Sequence, residues 1–237
     1  MSTEPNLLRR QLLAAAIASP IAFAAAPVFA RQPTGNPGRP RDWRAVILDR
    51  DRYLYLERPQ SNEKATFCYY RKGQGWDQRG YSIACTLLRD VVSKRTVQID
   101  PKLIDLLFLM QAYLRQNNLP YAMLINSGYR TAAFNASLEG AAKNSMHIQA
   151  KAADIRIPGL STDQIAKLAK AIGVGGVGVY PNKGEGFIHV DIGTIRTWRV
   201  AMLEPEPENW LASYSVLEID QALSPLDAPE SGRIIYA

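Results

Sequence analysis

The chain has 237 residues, 47% of them apolar and 21% charged, with a formal net charge of +6 at pH 7. This is ordinary globular composition, which excludes a disordered or fibrous chain and allows one substantial core. There is no arginine-rich helix and no run of aromatics interleaved with basic residues, so no nucleic-acid partner is expected.

In residues 1–30, Arg9-Arg10 precedes an apolar run from Leu12 that ends in Val28-Phe29-Ala30, a sequence suited to signal peptidase. The run is broken by Pro20 and Pro27, and a polar segment follows it at once, so the expectation is a cleaved export signal and no stable membrane insertion. The paired arginines resemble the twin-arginine type, with a plain secretory signal as the alternative. Either route puts the mature chain, from about Arg31, in a bacterial periplasm or outside the cell. Residues 31–42, rich in Pro, Gly and Arg, read as an extended tether.

Charge is unevenly distributed. Residues 31–199 hold 25 Lys/Arg against 14 Asp/Glu, whereas residues 200–237 hold one Arg against seven acids. The basic body suits an anionic polymer such as cell wall, and the C-terminal segment, with Glu204-Pro205-Glu206-Pro207-Glu208, reads as an acidic extension. Cys68 and Cys85 lie 17 residues apart, and the sequence leaves open whether they form a bridge or two buried thiols.

Within residues 43–199, Trp43 to Glu57 reads as strands or strand fragments around Val46, Leu48 and Tyr53 to Leu56. Ala65 to Arg71 is a stronger strand, turned by Lys72-Gly73-Gln74-Gly75. Gly80 to Val92 reads as a helix with Leu87 and Leu88 inside. Asp100-Pro101 then starts a core helix through Ile104, Leu107, Phe108, Gln111 and Leu114 that stops near Asn117. Tyr121 to Asn126 follows as a buried strand, and Ala132 to Leu138 as a short helix. Ser161 and Gln164 form a capping box for a helix that Gly173 ends. Val177 to Tyr180, Gly186 to Ile192 and Thr194 to Trp198 complete the set as short strands. The expected architecture is α+β, with helices on one face of a small, mainly antiparallel sheet. The glycines from Gly173 to Gly178 lie between helix and strand, the reverse of a dinucleotide loop, and read as tight turns beside a cleft.

The chemistry concentrates between Ser127 and Asp191. This stretch holds both histidines of the chain, His147 and His189, and Asp154 follows the first by seven residues. An odd spacing places His147 and Asp154 on opposite faces of a continuous strand, so they converge only if the chain bends, which Gln149-Ala150-Lys151 permits. A neighbouring strand must then bring in His189, which shares its face with Phe187 and Asp191. Two neutral imidazoles and a carboxylate make the three-ligand set of a catalytic zinc site, with a fourth position for water.

Ser127-Gly128-Tyr129-Arg130, Asn144-Ser145-Met146-His147 with Asp154, Gly175-Gly176-Val177-Gly178-Val179-Tyr180-Pro181 and Phe187-Ile188-His189-Val190-Asp191 occur in that order. Together they resemble the zinc-dependent periplasmic murein endopeptidases, part of the wider fold group of D-Ala-D-Ala metallopeptidases and the hedgehog signalling domain. The resemblance covers roughly residues 64–199 and implies a zinc enzyme that cuts peptide cross-links in peptidoglycan, of the D,D-endopeptidase type. It also implies one zinc per chain, held by His147, Asp154 and His189, with Arg130 facing the substrate. Alternatives are a D,D- or L,D-carboxypeptidase trimming stem peptides, or a non-catalytic zinc-containing module that binds peptidoglycan. Many relatives in the wider group carry Glu or Asp three residues before the last histidine ligand, where this chain has Gly186. That leaves Asp191, favoured narrowly, or Glu185 as the general base, while Asp191 also reads as a partner that orients an imidazole. Nothing in the sequence sets the oligomeric state.

Overall fold

The computed structural model describes residues 42–181, 183–200 and 235–236, all within one compact unit spanning Pro40–Ala237. The expected export signal, most of the expected tether and nearly all of the expected acidic extension lie outside the described residues. In chain order the elements are α1 (Trp43–Leu48), β1 (Arg52–Arg58), β2 (Glu63–Arg71), β3 (Gly75–Trp76), α2 (Gln78–Leu87), α3 (Pro101–Gln116), β4 (Met123–Ser127), α4 (Ala132–Ser137), β5 (Ala152–Arg156), α5 (Thr162–Ile172), β6 (Gly176–Tyr180), β7 (Phe187–Asp191), β8 (Arg196–Arg199) and β9 (Ile235–Tyr236).

The strands join in one sheet of order β3-β2-β1-β4-β5-β7-β6-β8, with β9 paired to β2. Most pairings are antiparallel, as expected for this α+β chain, while β1–β4 and β6–β8 are parallel. The sheet is larger than expected because β1 and β2 join the strands of the C-terminal half through β4. The core forms where α3 and α5 pack on this sheet, with Leu54, Leu56, Ile125, Ile155, Ile188, Leu107 and Leu168 among its buried members.

Helix α3 starts as its sequence dictates. Asp100 accepts a hydrogen bond from the N–H of Lys102 (3.0 Å), and Pro101 takes the first helical position. Gln111, buried on the apolar side, binds the backbone of β1 and of the segment before β4: its Oε1 accepts from Tyr55 N–H, and its Nε2 donates to the carbonyls of Tyr55 and Tyr121. Every buried polar atom of that amide is therefore paired. The capping box of α5 is present in both directions, and Gly173 ends the helix in the left-handed conformation at φ +70°.

Two local readings are corrected and one open question is settled. Trp43 to Leu48 is a helix rather than a strand, because the Asp42 carboxylate accepts from Arg44 N–H and caps it. Strand character begins only after Asp49-Arg50-Asp51. The second helix ends at Leu87 instead of running to Val92, because Asp90 Oδ1 accepts from the N–H groups of Val92 and Ser93 and turns the chain. Cys68 and Cys85 are both buried free thiols, which resolves the open question of a bridge.

Leu107→Ala, at a site with no solvent exposure, is expected to cost about 2–5 kcal/mol of stability. Loss of the α5 cap in Ser161→Ala should cost about 1 kcal/mol. Urea titration of the mature chain checks both, and equal midpoints for the two variants would contradict this ranking.

Candidate metal centre

Strand register builds the site. Ser127 of β4 pairs with Asp154 of β5, Asp154 with His189 of β7, His189 with Gly178 of β6, and Gly178 with Trp198 of β8. These five residues form one row across five strands. Ile155 and Ile188 face the helices, so alternation sends Asp154 and His189 to the opposite face. His147 reaches the row through the expected bend, where Ala150 takes φ +57° and Lys151 N–H bonds to the Met146 carbonyl (3.0 Å).

The result is a triangle of atoms. His147 Nε2 lies 3.0 Å from His189 Nδ1 and 3.2 Å from Asp154 Oδ1, and His189 Nδ1 lies 3.0 Å from the same oxygen. The far side of each ring sets its tautomer. His147 Nδ1–H donates to the Gly128 carbonyl (2.6 Å), and His189 Nε2–H donates to Asp191 Oδ2 (3.0 Å). Each imidazole therefore presents a lone pair to the triangle, and two lone pairs at 3.0 Å repel unless a cation lies between them. Tetrahedral zinc bonds of 2.0–2.1 Å require ligand atoms about 3.3 Å apart, close to the spacing here. The residues therefore fit a divalent ion.

Electrostatics agrees. Burial opposes a charge on Asp154, yet His147 and His189 hold its carboxyl well below the usual range. Burial likewise opposes a charged His189, but the Asp154 and Asp191 carboxylates, which can accept from a protonated ring, outweigh it and raise the imidazole, so the pocket favours positive charge between these groups.

Arg130 stands beside the triangle. Its Nε donates to Ser127 Oγ (2.8 Å), and its Nη2 pairs with Asp154 Oδ2. It also lines an open cleft of about 550 Å³ with His147, Asp154 and His189. The loop that carries Arg130 is pinned from below. The Gly128 backbone runs so close to Leu88 that an added Cβ would lie 2.2 Å from the Leu88 carbonyl oxygen, and Asp90 Oδ2 accepts both the N–H and the Oγ–H of Thr131.

Neither candidate base reaches the open side of the triangle. Asp191 is wholly buried behind His189, on the ring nitrogen remote from the cluster. It also accepts from the N–H groups of Gly176 (2.9 Å) and Gly193 (2.8 Å) and from Arg196 Nη2 (2.7 Å). The burial penalty on this carboxylate is outweighed by those donors, which hold it well below the usual range. Its geometry is that of the orienting partner, not of a group in contact with the cleft. Glu185 pairs with Arg156 and lines a separate cleft with Pro158, Thr162 and Pro181.

Trp198 escaped the sequence reading. Its ring packs against His189 (centroids 5.2 Å apart), its indole N–H donates to Tyr180 Oη (2.9 Å), and the Arg196 guanidinium covers it at 5.0 Å. Gly178 makes room for it, since a Cβ there would come within 2.4 Å of the indole. Gly176 likewise clears space for Asp191 and Arg196. These two glycines are strand residues that seat side chains, and not the turn formers expected. The signal was the alternation in Gly176-Val177-Gly178-Val179, with bare positions on the site face and valines in the core.

The family model described as peptidoglycan L,D-endopeptidase MepK matches residues 48–198, a range that contains the whole cluster. A Haemophilus influenzae protein named "Probable peptidoglycan L,D-endopeptidase MepK" is 38% identical over 117 residues, 48% of this chain and 61% of that protein. The match thus spans less than two thirds of the Haemophilus relative. The peptidoglycan L,D-endopeptidase MepK of Escherichia coli K12 is 31% identical over 195 residues, 80% of this chain and 96% of that protein. No solved structure matches the chain.

Replacing Asp191 by Asn would place an amide N–H against His189 Nε2 and drive the ring proton to Nδ1, the atom that faces the cluster. Asp191→Asn is therefore expected to weaken binding of a divalent ion, probed with Zn2+, about 10- to 100-fold with the fold intact. Competition with a chromogenic chelator, alongside circular dichroism, measures this, and undiminished affinity would refute the orienting role.

Proposed function

Because the chain belongs to the peptidoglycan L,D-endopeptidase MepK family, we propose that it is a zinc peptidase that hydrolyses peptide cross-links in peptidoglycan, with His147, Asp154 and His189 as metal ligands. The observation that carries this reading is the triangle of two imidazole lone pairs and a carboxylate oxygen at the base of an open cleft. The names of the family and of these relatives favour the L,D bond over the D,D bond that the resemblance implied, and we adopt L,D. The motif resemblance also supports membership of the wider D-Ala-D-Ala metallopeptidase and hedgehog fold group.

A bound zinc ion supplies Lewis acidity toward the scissile carbonyl and an acidified water. The protein's residues do the rest. Gly128 and Asp191 fix the tautomers of His147 and His189, so both rings are ready to bind without rearrangement. Arg130 uses Nε and Nη2 on Ser127 and Asp154, which leaves Nη1 for a substrate carboxylate or a carbonyl oxygen gaining charge. Trp198, Tyr180 and Phe187 give the cleft an aromatic wall against which the aliphatic part of a stem peptide can lie.

Export supports the same reading. Residues 1–30 act as a twin-arginine-type signal, residues 31–42 as a tether and residues 43–199 as the peptidase domain, working in the periplasm. The basic body favours the anionic wall. Near the end of the acidic segment, Ile235–Tyr236 pairs with Glu63–Lys64 of β2, and this added strand stabilises the body.

The deciding experiment incubates the zinc-loaded mature protein with purified L,D-linked and D,D-linked muropeptide dimers, with and without chelator and with His189→Ala in parallel. Mass spectrometry should show L,D dimers converted to monomers, and both chelator and substitution should abolish the conversion. Cleavage of D,D dimers alone would reverse the bond assignment. Shortened monomers with dimers intact would replace the endopeptidase by a carboxypeptidase, and bound zinc without turnover would leave a binding module. Truncation after Arg199 should lower the melting temperature, and unchanged stability and activity would remove the role given to β9.

A further inference from the structure

Peptide hydrolysis at this site needs a group that takes a proton from the attacking water, and the acids singled out from the sequence are occupied elsewhere. Asp154 places Oδ1 in the triangle and Oδ2 on Arg130. Asp191 is buried behind His189 and surrounded by donors. Glu185 is paired with Arg156 in the other cleft.

Among the described residues lining the metal cleft, one further acid occurs, Glu139. It is exposed, and no hydrogen bond or ion pair within the described residues engages its carboxylate. It sits in the segment between α4 and His147, so the chain that delivers the first histidine also delivers this carboxylate. The segment is anchored. Buried Asn135 donates from Nδ2 to the Ala142 carbonyl (3.0 Å), and α4 is capped by Thr131, which Asp90 holds. Next to Glu139 the chain has room to adjust. Gly140 is at φ +71° with nothing within 4 Å of its Cβ position, and Asn135 Oδ1 is buried without a partner, leaving an acceptor for a loop N–H.

We propose that Glu139 is the general base and acid of the reaction, an assignment that rests on the peptidase reading. Its carboxylate takes one proton from the attacking water while the water oxygen bonds to the scissile carbonyl carbon. As the C–N bond breaks, the same proton passes from Glu139 to the leaving nitrogen, giving a free amine and a carboxylic acid and restoring the carboxylate. Placing this group on the wall rather than on the strand of the last histidine accounts for the absence of an acid at Gly186, where φ is +75° and a Cβ would lie 2.9 Å from the Pro181 carbonyl oxygen.

The test compares wild type, Glu139→Gln and Glu139→Asp as zinc-loaded mature proteins on the L,D-linked muropeptide dimer. Turnover is followed by mass spectrometry, dimer affinity by calorimetry on metal-free protein and zinc content by elemental analysis. Glu139→Gln should lower kcat about 10²- to 10⁴-fold while dimer affinity and zinc content stay at the wild-type level, and Glu139→Asp should recover part of the loss. Wild-type turnover in Glu139→Gln overturns the assignment. So does a loss explained by weaker dimer binding, which would make Glu139 a recognition group. If the wild-type protein itself cuts neither an L,D- nor a D,D-linked dimer, the peptidase reading falls and the assignment falls with it.

Discussion

Two imidazole lone pairs and a carboxylate oxygen held 3.0–3.2 Å apart are the constraint around which this molecule is arranged. Left alone, such atoms repel or draw in a proton, and burial makes the conflict worse because water cannot relieve it. The protein resists collapse of the site by fixing each ligand from behind. The Gly128 carbonyl holds one ring, Asp191 holds the other, and Arg130 holds the free oxygen of Asp154. Remove the sheet register and none of these supports reaches its ring.

Support continues outward through ordinary packing. The loop of Arg130 lies on Leu88 and is tied to Asp90, whose carboxylate also turns the chain after α2. Asp191 draws donors from the start of β6, from Gly193 and from Arg196, so three segments converge on a group that never touches the cleft. A metal site of this kind owes its shape to carbonyls, glycines and buried carboxylates beyond the ligands as much as to the ligands themselves.

Much of this was legible in the sequence, and the remainder was hidden for identifiable reasons. Capping chemistry is local, so Asp100-Pro101 and the Ser161–Gln164 box placed α3 and α5 correctly. The bend between His147 and Asp154 followed from their odd spacing. The Asp42 cap of α1 carried the same kind of signal and was outweighed by alternating apolar residues in a segment only six residues long. The parallel pairings were invisible because they join strands that are not neighbours in the chain: β1 reaches β4 across α2 and α3, and β6 reaches β8 across β7. Glu185 looked well placed because it is near His189 in the chain, but the turn at Gly186 sends it to Arg156. Trp198 lies beyond the last motif, and its partnership with Gly178 appears only once β6 and β8 are seen side by side.

The row Ser127, Asp154, His189, Gly178 and Trp198 also bears on how the molecule assembles. Its members come from five strands, and the pairing of Asp154 with His189 joins residues 35 positions apart with α5 between them. The hairpin of β1 and β2 can form early because its contacts are local. The row cannot, since closing long loops costs entropy before any contact repays it. The triangle therefore depends on long-range pairing, and a chain that lacks it offers isolated histidines with little hold on a metal ion. The three groups that could hold an ion thus come together only in the finished sheet, and their hold on it depends on native pairing across the whole row.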